Sequence, residues 1–149
     1  MVKCIDTTVL LHATDTNSVL HRRAAEYLKK CAHEPWISCV CYESLTEWAK
    51  IITSPQFSSK PLAALSVHAA VDAMLKRREP VILYGDEYIY KRALKLCDKH
   101  VVLRERFHEA HLAATALAHG VKTIVTANSA PFQAVRELTV ENPFETLFG

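Results

Sequence analysis

The sequence predicts a three-layer α/β/α sandwich with a mostly parallel central sheet of four to five strands. Three observations carry that expectation. Short apolar runs alternate with longer segments of helical periodicity, the pattern of strands joined by helical crossovers. The 149 residues suit one domain spanning 1–149, and the 50% hydrophobic and 23% charged residues match an ordinary globular composition. Only three glycines occur, too few for an all-β chain built on tight turns. A domain near this size buries roughly 68–70% of the surface its unfolded chain exposes, so it holds a core without covalent staples.

The elements follow in order. Val2 to Ile5 reads as a short buried strand that ends at Asp6-Thr7-Thr8. Asn17 or Ser18 is placed to cap a helix running to about Lys30, with Leu20, Ala24, Tyr27, Leu28 and Cys31 at helical spacing. Pro35 to Val40 is a second strand, and Tyr42 to Ile52 a helix with Leu45, Ala49 and Ile52 on its apolar stripe. Thr53 to Pro61 is the clearest loop. Leu62 to Lys76 is helical in pattern, Pro80 to Leu83 is a third strand, and Asp86 caps a helix from Glu87 to about Lys99. Phe107 to His119 is an Ala- and Leu-rich helix that Gly120 stops. Lys122 to Thr126 is a β-branched strand, Asn128 to Val135 a short helix or turn, and Leu138 to Val140 an edge strand.

Composition narrows the function classes. The formal net charge of +2 is too small to indicate nucleic-acid binding by itself, although it allows a local basic face beside an acidic site. The five cysteines, Cys4, Cys31, Cys39, Cys41 and Cys97, show no CxxC spacing and read as reduced thiols of a cytoplasmic protein. The N-terminal residues do not read as a signal peptide, and no run reaches the ~18 apolar residues of a membrane helix.

Three carboxylates stand where strands or loops meet helices. Asp6 ends the first strand, Glu47 lies on a polar stripe of the second helix, and Glu109 lies in the first turn of a helix with core-like later positions. Asn128 closes the fourth strand. In a parallel sheet the first and fourth strands can set Asp6 and Asn128 side by side, and helices entering at that edge can bring Glu47 and Glu109 close. Clustered carboxylates repel, so they call for a cation, and all-oxygen donors favour Mg²⁺ or Mn²⁺. Each residue taken singly has an ordinary role as a turn, a solvated side chain or a partner of the helix dipole.

Several segments together resemble the PIN-domain family. Ile5-Asp6-Thr7-Thr8-Val9-Leu10 resembles its opening motif. His108-Glu109-Ala110-His111-Leu112-Ala113-Ala114-Thr115-Ala116-Leu117, with His119-Gly120-Val121, resembles its third motif, and Thr123-Ile124-Val125-Thr126-Ala127-Asn128 with Phe132 its fourth. Glu47, six residues before Thr53, fits the second acidic position, and Val140-Glu141-Asn142-Pro143 resembles the ending. The layout is similar to VapC-type toxins. That resemblance implies a Mg²⁺- or Mn²⁺-dependent endoribonuclease, a homodimer and inhibition by a small antitoxin protein. It implies that Asp6, Glu47 and Glu109 hold the metal and that Asn128 assists directly or through water.

The sequence departs from the family at four places. Glu109 and Asn128 stand where Asp is usual, Pro131 precedes Phe132 where Asp is usual, and Thr8 stands where Asn is common. A weakened site, or one ion instead of two, follows as an open reading. The alternative function is a catalytically weakened or inactive module that acts by binding RNA or protein.

Other constellations were weighed. His108 and His111 are three apart, not the four of an HExxH zinc helix. Cys39 and Cys41 share one strand face but lack a second pair for zinc. Arg104 and Arg106 are candidates for phosphate contact, with Thr7, Thr8, His108 and Thr126 as further substrate-binding candidates. Lys76-Arg77-Arg78 and Lys91-Arg92 read as solvated faces. Trp36 and Trp48 read as core or interface residues, and the helices at Leu62–Met74 and Ser18–Cys31 as candidate partner contacts.

Overall fold

The computed structural model describes residues 2–33, 37–57 and 60–145. Its strands are β1 (Val2–Ile5), β2 (Ile37–Cys41), β3 (Val81–Leu83), β4 (Thr123–Val125) and β5 (Thr139–Glu141). They form one five-stranded sheet in the order β3-β2-β1-β4-β5, and every neighbouring pair is parallel. The last strand takes the expected edge position. The helices are α1 (Thr7–Thr14), α2 (His21–Cys31), α3 (Tyr42–Ile52), α4 (Ala64–Arg77), α5 (Glu87–Lys99), α6 (Phe107–Ala118) and α7 (Ala130–Gln133), with a 3-10 turn at Val101–Leu103.

Alternation along the strands builds two cores. Cys4, Cys39, Cys41, Leu83 and Ile124 join Ile89 and Ala93 of α5, Ala110 and Leu112 of α6, and Phe132 of α7. Their neighbours Ile5, Val40 and Val125 point the other way, to Val9 and Leu10 of α1, Leu45, Trp48 and Ile52 of α3, and Val67 of α4. A period of two thus gives each strand a hydrophobic residue for both faces, as a sheet covered by helices on both sides requires. Each large side chain buried this way contributes about 1.5–3 kcal/mol. Cys39 and Cys41 share one face as expected, and all five cysteines are free thiols.

Two helices differ from expectation. α1 begins directly after Asp6, within a segment rich in β-branched residues that carries weak helix propensity. The Asp6 carboxylate caps it by accepting from Thr7 N at 2.8 Å, and burial of Val9 and Leu10 outweighs the propensity. α2 begins at His21, later than the Asn17 or Ser18 cap predicts. Ser18 Oγ instead accepts from Leu20 N at 3.1 Å, so it closes a turn ahead of the helix. Trp48 is 7% exposed and donates to Thr14 Oγ1 at 2.9 Å, a core role. Trp36, and the expected start of β2 at Pro35, lie outside the described residues.

Gly120 ends α6 with φ +74°. Gly120 N donates to Leu117 O at 3.0 Å and Val121 N to Ala116 O at 2.9 Å, the two bonds of a Schellman cap. Among the described residues no helix is long and apolar enough to cross a membrane.

Candidate active site

The register of β1 with β4 pairs Cys4 with Ile124 and Ile5 with Val125. The next residues, Asp6 and Thr126, therefore emerge side by side at the C-terminal edge of the sheet, where α/β folds place their ligands. Asp6 N donates to Val125 O at 2.8 Å, which fixes the chain direction there. The Asp6 carboxylate is 4% exposed. Its Oδ1 accepts from Thr7 N, and its Oδ2 accepts from Thr126 Oγ1 at 2.7 Å and Thr8 Oγ1 at 3.0 Å. Ala127 N donates to Thr8 Oγ1 and Asn128 N to Thr126 Oγ1, both at 3.0 Å. Both hydroxyls accept from backbone and donate to the carboxylate. The Asp6 carboxylate is thereby held in one orientation.

α3 and α6 supply the other acids. Glu47 sits on α3, and its Oε2 lies 2.8 Å from His108 Nε2 on α6. His108 Nε2 is also buried without a well-aligned hydrogen bond, so this approach is a close contact and not a directed bond. Arg106 Nη1 lies 3.9 Å from Glu109 Oε1, one turn along α6. Burial raises the pKa of Glu47 above the ordinary Glu value; His108 opposes the shift, and the negative charges of Asp6 and Glu109 add to it. The three carboxylates therefore share one electrostatic neighbourhood.

The upward shift of Glu47, led by burial, has a sign that can be measured. Folded Glu47 holds its proton more tightly than the unfolded chain. Between the ordinary and the raised value the native state binds more protons, so stability falls as pH rises through that window and levels off above it. The carboxylate is more than a third exposed, so the effect is small. In EDTA, the melting temperature of the wild type should fall relative to Glu47→Gln as pH rises from about 4 to about 7. Parallel pH profiles for the two proteins would contradict the shift.

The donor chemistry suits a hard divalent ion: three carboxylates, one of them with a raised pKa that a cation would lower. Among the described residues, no three Asp, Glu, His or Cys side chains are already arranged around a metal position. Glu47 lies against His108 and Glu109 toward Arg106, so a metal would compete with these partners.

The sequence profile of the PIN domain matches residues 3–138. The chain belongs to the PIN-domain family. The chain is 28% identical over 124 residues to the ribonuclease VapC24 of Mycobacterium tuberculosis, covering 83% of this chain and 84% of that protein. The fold is similar to that of VapBC-1 from nontypeable Haemophilus influenzae, with TM-score 0.66 at 16% identity over 97% of this chain and 100% of that one. It is similar too to VapC20 of Mycobacterium tuberculosis, a sarcin–ricin loop cleaving toxin, with TM-score 0.68 at 14% identity over 89% of this chain and 95% of that one.

Within this PIN domain the remaining expected site residues divide by exposure. Thr7 and Thr126 are 1% and 0% exposed. The Thr7 backbone N–H and the Thr126 hydroxyl hold Asp6. Thr8 is half-buried and does the same from the rim. Asn128, in the loop after β4, is exposed, as are Arg104 and Arg106. His111 is 9% exposed, stacked on Phe107 with ring centroids 5.6 Å apart, and serves the packing of α6 against α5.

Sequence reasoning passed over two neighbours. Lys50 follows Glu47 by three residues on α3, and its charge acts to lower the Glu47 pKa. The i,i+3 spacing was the available signal. Gly85 follows β3, and a Cβ there would lie 3.3 Å from His111 Nε2 and 3.8 Å from Glu43 Oε1. No local pattern announces that close approach.

Proposed function

We propose that this PIN domain is a metal-dependent endoribonuclease of the VapC type, the toxin half of a toxin–antitoxin pair acting in the cytoplasm. The observation that carries the reading is the buried, triply hydrogen-bonded Asp6 at the sheet edge, within electrostatic reach of Glu47 and Glu109. Asp6, Glu47 and Glu109 would hold Mg²⁺ or Mn²⁺, and Asn128 would assist directly or through water. When bound, such an ion acidifies water and steadies charge that develops on a phosphate.

The chain's own residues do the rest. Thr8 and Thr126 keep Asp6 from rotating. His108 holds the Glu47 carboxylate at the mouth. Arg104 and Arg106, exposed at the start of α6, pair with phosphates of the RNA strand. An antitoxin partner is in keeping with the VapBC-1 structure of Haemophilus influenzae and a toxin–antitoxin complex from Klebsiella pneumoniae among the similar folds. Exposed Tyr90, Leu94 and Val101 offer a surface for a homodimer.

One observation favours a second reading. The carboxylates are paired with His108 and Arg106 and not gathered around a metal position, and Asn128 brings no charge. A silent module would bind RNA in EDTA and cut nothing. Incubating the purified protein with single-stranded RNA separates the two. Fragments that appear with Mg²⁺ or Mn²⁺ and vanish in EDTA support the nuclease. Intact RNA under every divalent ion overturns it.

A further inference from the structure

Beside the acids lies a second concavity, between α1, α3 and the loop that follows α3. Its volume is about 520 Å³, within the usual size of a ligand cleft. Thr8 lines it, the same residue whose hydroxyl donates to Asp6, so one side chain separates the concavity from the candidate catalytic carboxylate. Leu11, Ile51 and Phe57 give it apolar walls, and Phe57 supplies an aromatic ring. Lys50 and Gln56 stand on the lining, and both are exposed. No ion pair engages Lys50 among the described residues.

We propose that this concavity is a nucleobase subsite: it takes one unpaired base of the RNA strand, next to the phosphate cut at Asp6. The inference rests on the nuclease reading and extends it to substrate form.

Four features select a base over other occupants. An aromatic ring with aliphatic neighbours suits a planar heterocycle, and such stacking tolerates any base because each has a π-face. Lys50 lies one helical turn beyond Glu47, where it meets the phosphate that links a seated base to the scissile one. Asp15 also lines the concavity, and its carboxylate, which accepts from Asn17 N at 3.0 Å, disfavours a second phosphate inside. Ser54 Oγ donates to Gln56 Oε1 at 2.5 Å, which leaves the Gln56 amide N–H groups for a base carbonyl. A base stacked within a duplex cannot enter, so the subsite selects single-stranded or looped RNA.

The test measures binding, in EDTA, of fluorescent RNA octamers to wild type, Phe57→Leu and Lys50→Ala. Phe57→Leu keeps the apolar bulk and removes the ring; Lys50 is exposed, so its loss does not threaten folding. Loss of base stacking should weaken binding by Phe57→Leu roughly tenfold or more. Lys50→Ala should weaken it several-fold and flatten the salt dependence. In a series of octamers with one abasic position each, a single position should weaken wild-type binding and leave Phe57→Leu indifferent. Wild-type affinity in both pocket variants, or no sensitive abasic position, assigns the concavity to another ligand and overturns the subsite alone. No RNA binding by the wild type in EDTA also overturns the subsite, whereas the nuclease reading falls only if RNA stays intact under every divalent ion.

Discussion

Asp6→Asn is expected to slow metal-dependent RNA cleavage by about a hundredfold or more, the largest effect of any single change in the site. Stabilisation of developing phosphate charge by a bound ion is worth several kcal/mol, and each ~1.4 kcal/mol is tenfold in rate. The variant should still fold. Its amide oxygen can keep accepting from Thr7 N, and the Thr8 and Thr126 hydroxyls can turn to accept from the new N–H groups. Loss of cleavage with unchanged melting would therefore report the missing charge. Thr126→Val should follow the same path more gently. Removal of a group that orients a ligand costs about 10- to 100-fold, and here the 2.7 Å bond to Asp6 Oδ2 is lost. A gel assay of cleavage rates checks both, and Asp6→Asn cutting at the wild-type rate would refute the assignment.

Phe132→Ala is expected to cost about 3–5 kcal/mol of stability. Phe132 is 0% exposed and is among the largest fully buried side chains. It lies in α7 within the core formed with α6, Val121, Ile124 and Val135. It also anchors the turn after β4, since Phe132 N donates to Ser129 O at 3.1 Å. That turn carries Thr126 and Asn128. A cavity there loosens the support of Asp6 as well as the core, so cleavage should fall together with stability. At roughly 2–4 °C per kcal/mol for a domain of this size, the melting temperature should drop by about 6–20 °C. Phe132→Leu refills most of the volume and should recover much of the loss. A Phe132→Ala variant that melts with the wild type would mean the side chain is not the keystone its burial indicates.

How far the sequence reaches can be judged residue by residue. The apolar run Val2–Ile5 ended by an acid marks β1 and its exit, and the structure keeps both bounds. Asp86 before Glu87 marks the start of α5, and its carboxylate accepts from Ile89 N at 2.9 Å. These signals are local, and they survive because the core agrees with them. α1 was not foreseen, because Thr7, Thr8 and Val9 disfavour helix when taken alone. Only the packing of Val9 and Leu10 against the sheet decides that segment.

The site shows the same division. Candidate acids can be picked out by position, since each stands at the end of a strand or the start of a helical turn. Their partners cannot. Thr126 reaches Asp6 across 120 residues, and His108 reaches Glu47 only because α3 and α6 pack side by side. Distance along the chain hides such pairs until the sheet order is known. For the same reason the bonds that Thr7 and Thr126 make to Asp6 are invisible in the sequence. The concavity beside Thr8 draws its walls from two helices and a loop, and no local pattern joins them.

The central claim is that Asp6, Glu47 and Glu109 together bind a hard divalent ion. Calorimetric titration of Mn²⁺ into wild type and Asp6→Asn tests it without depending on any particular RNA. The account predicts saturable binding by the wild type that is lost or sharply weakened in Asp6→Asn. Identical isotherms for the two proteins would contradict it.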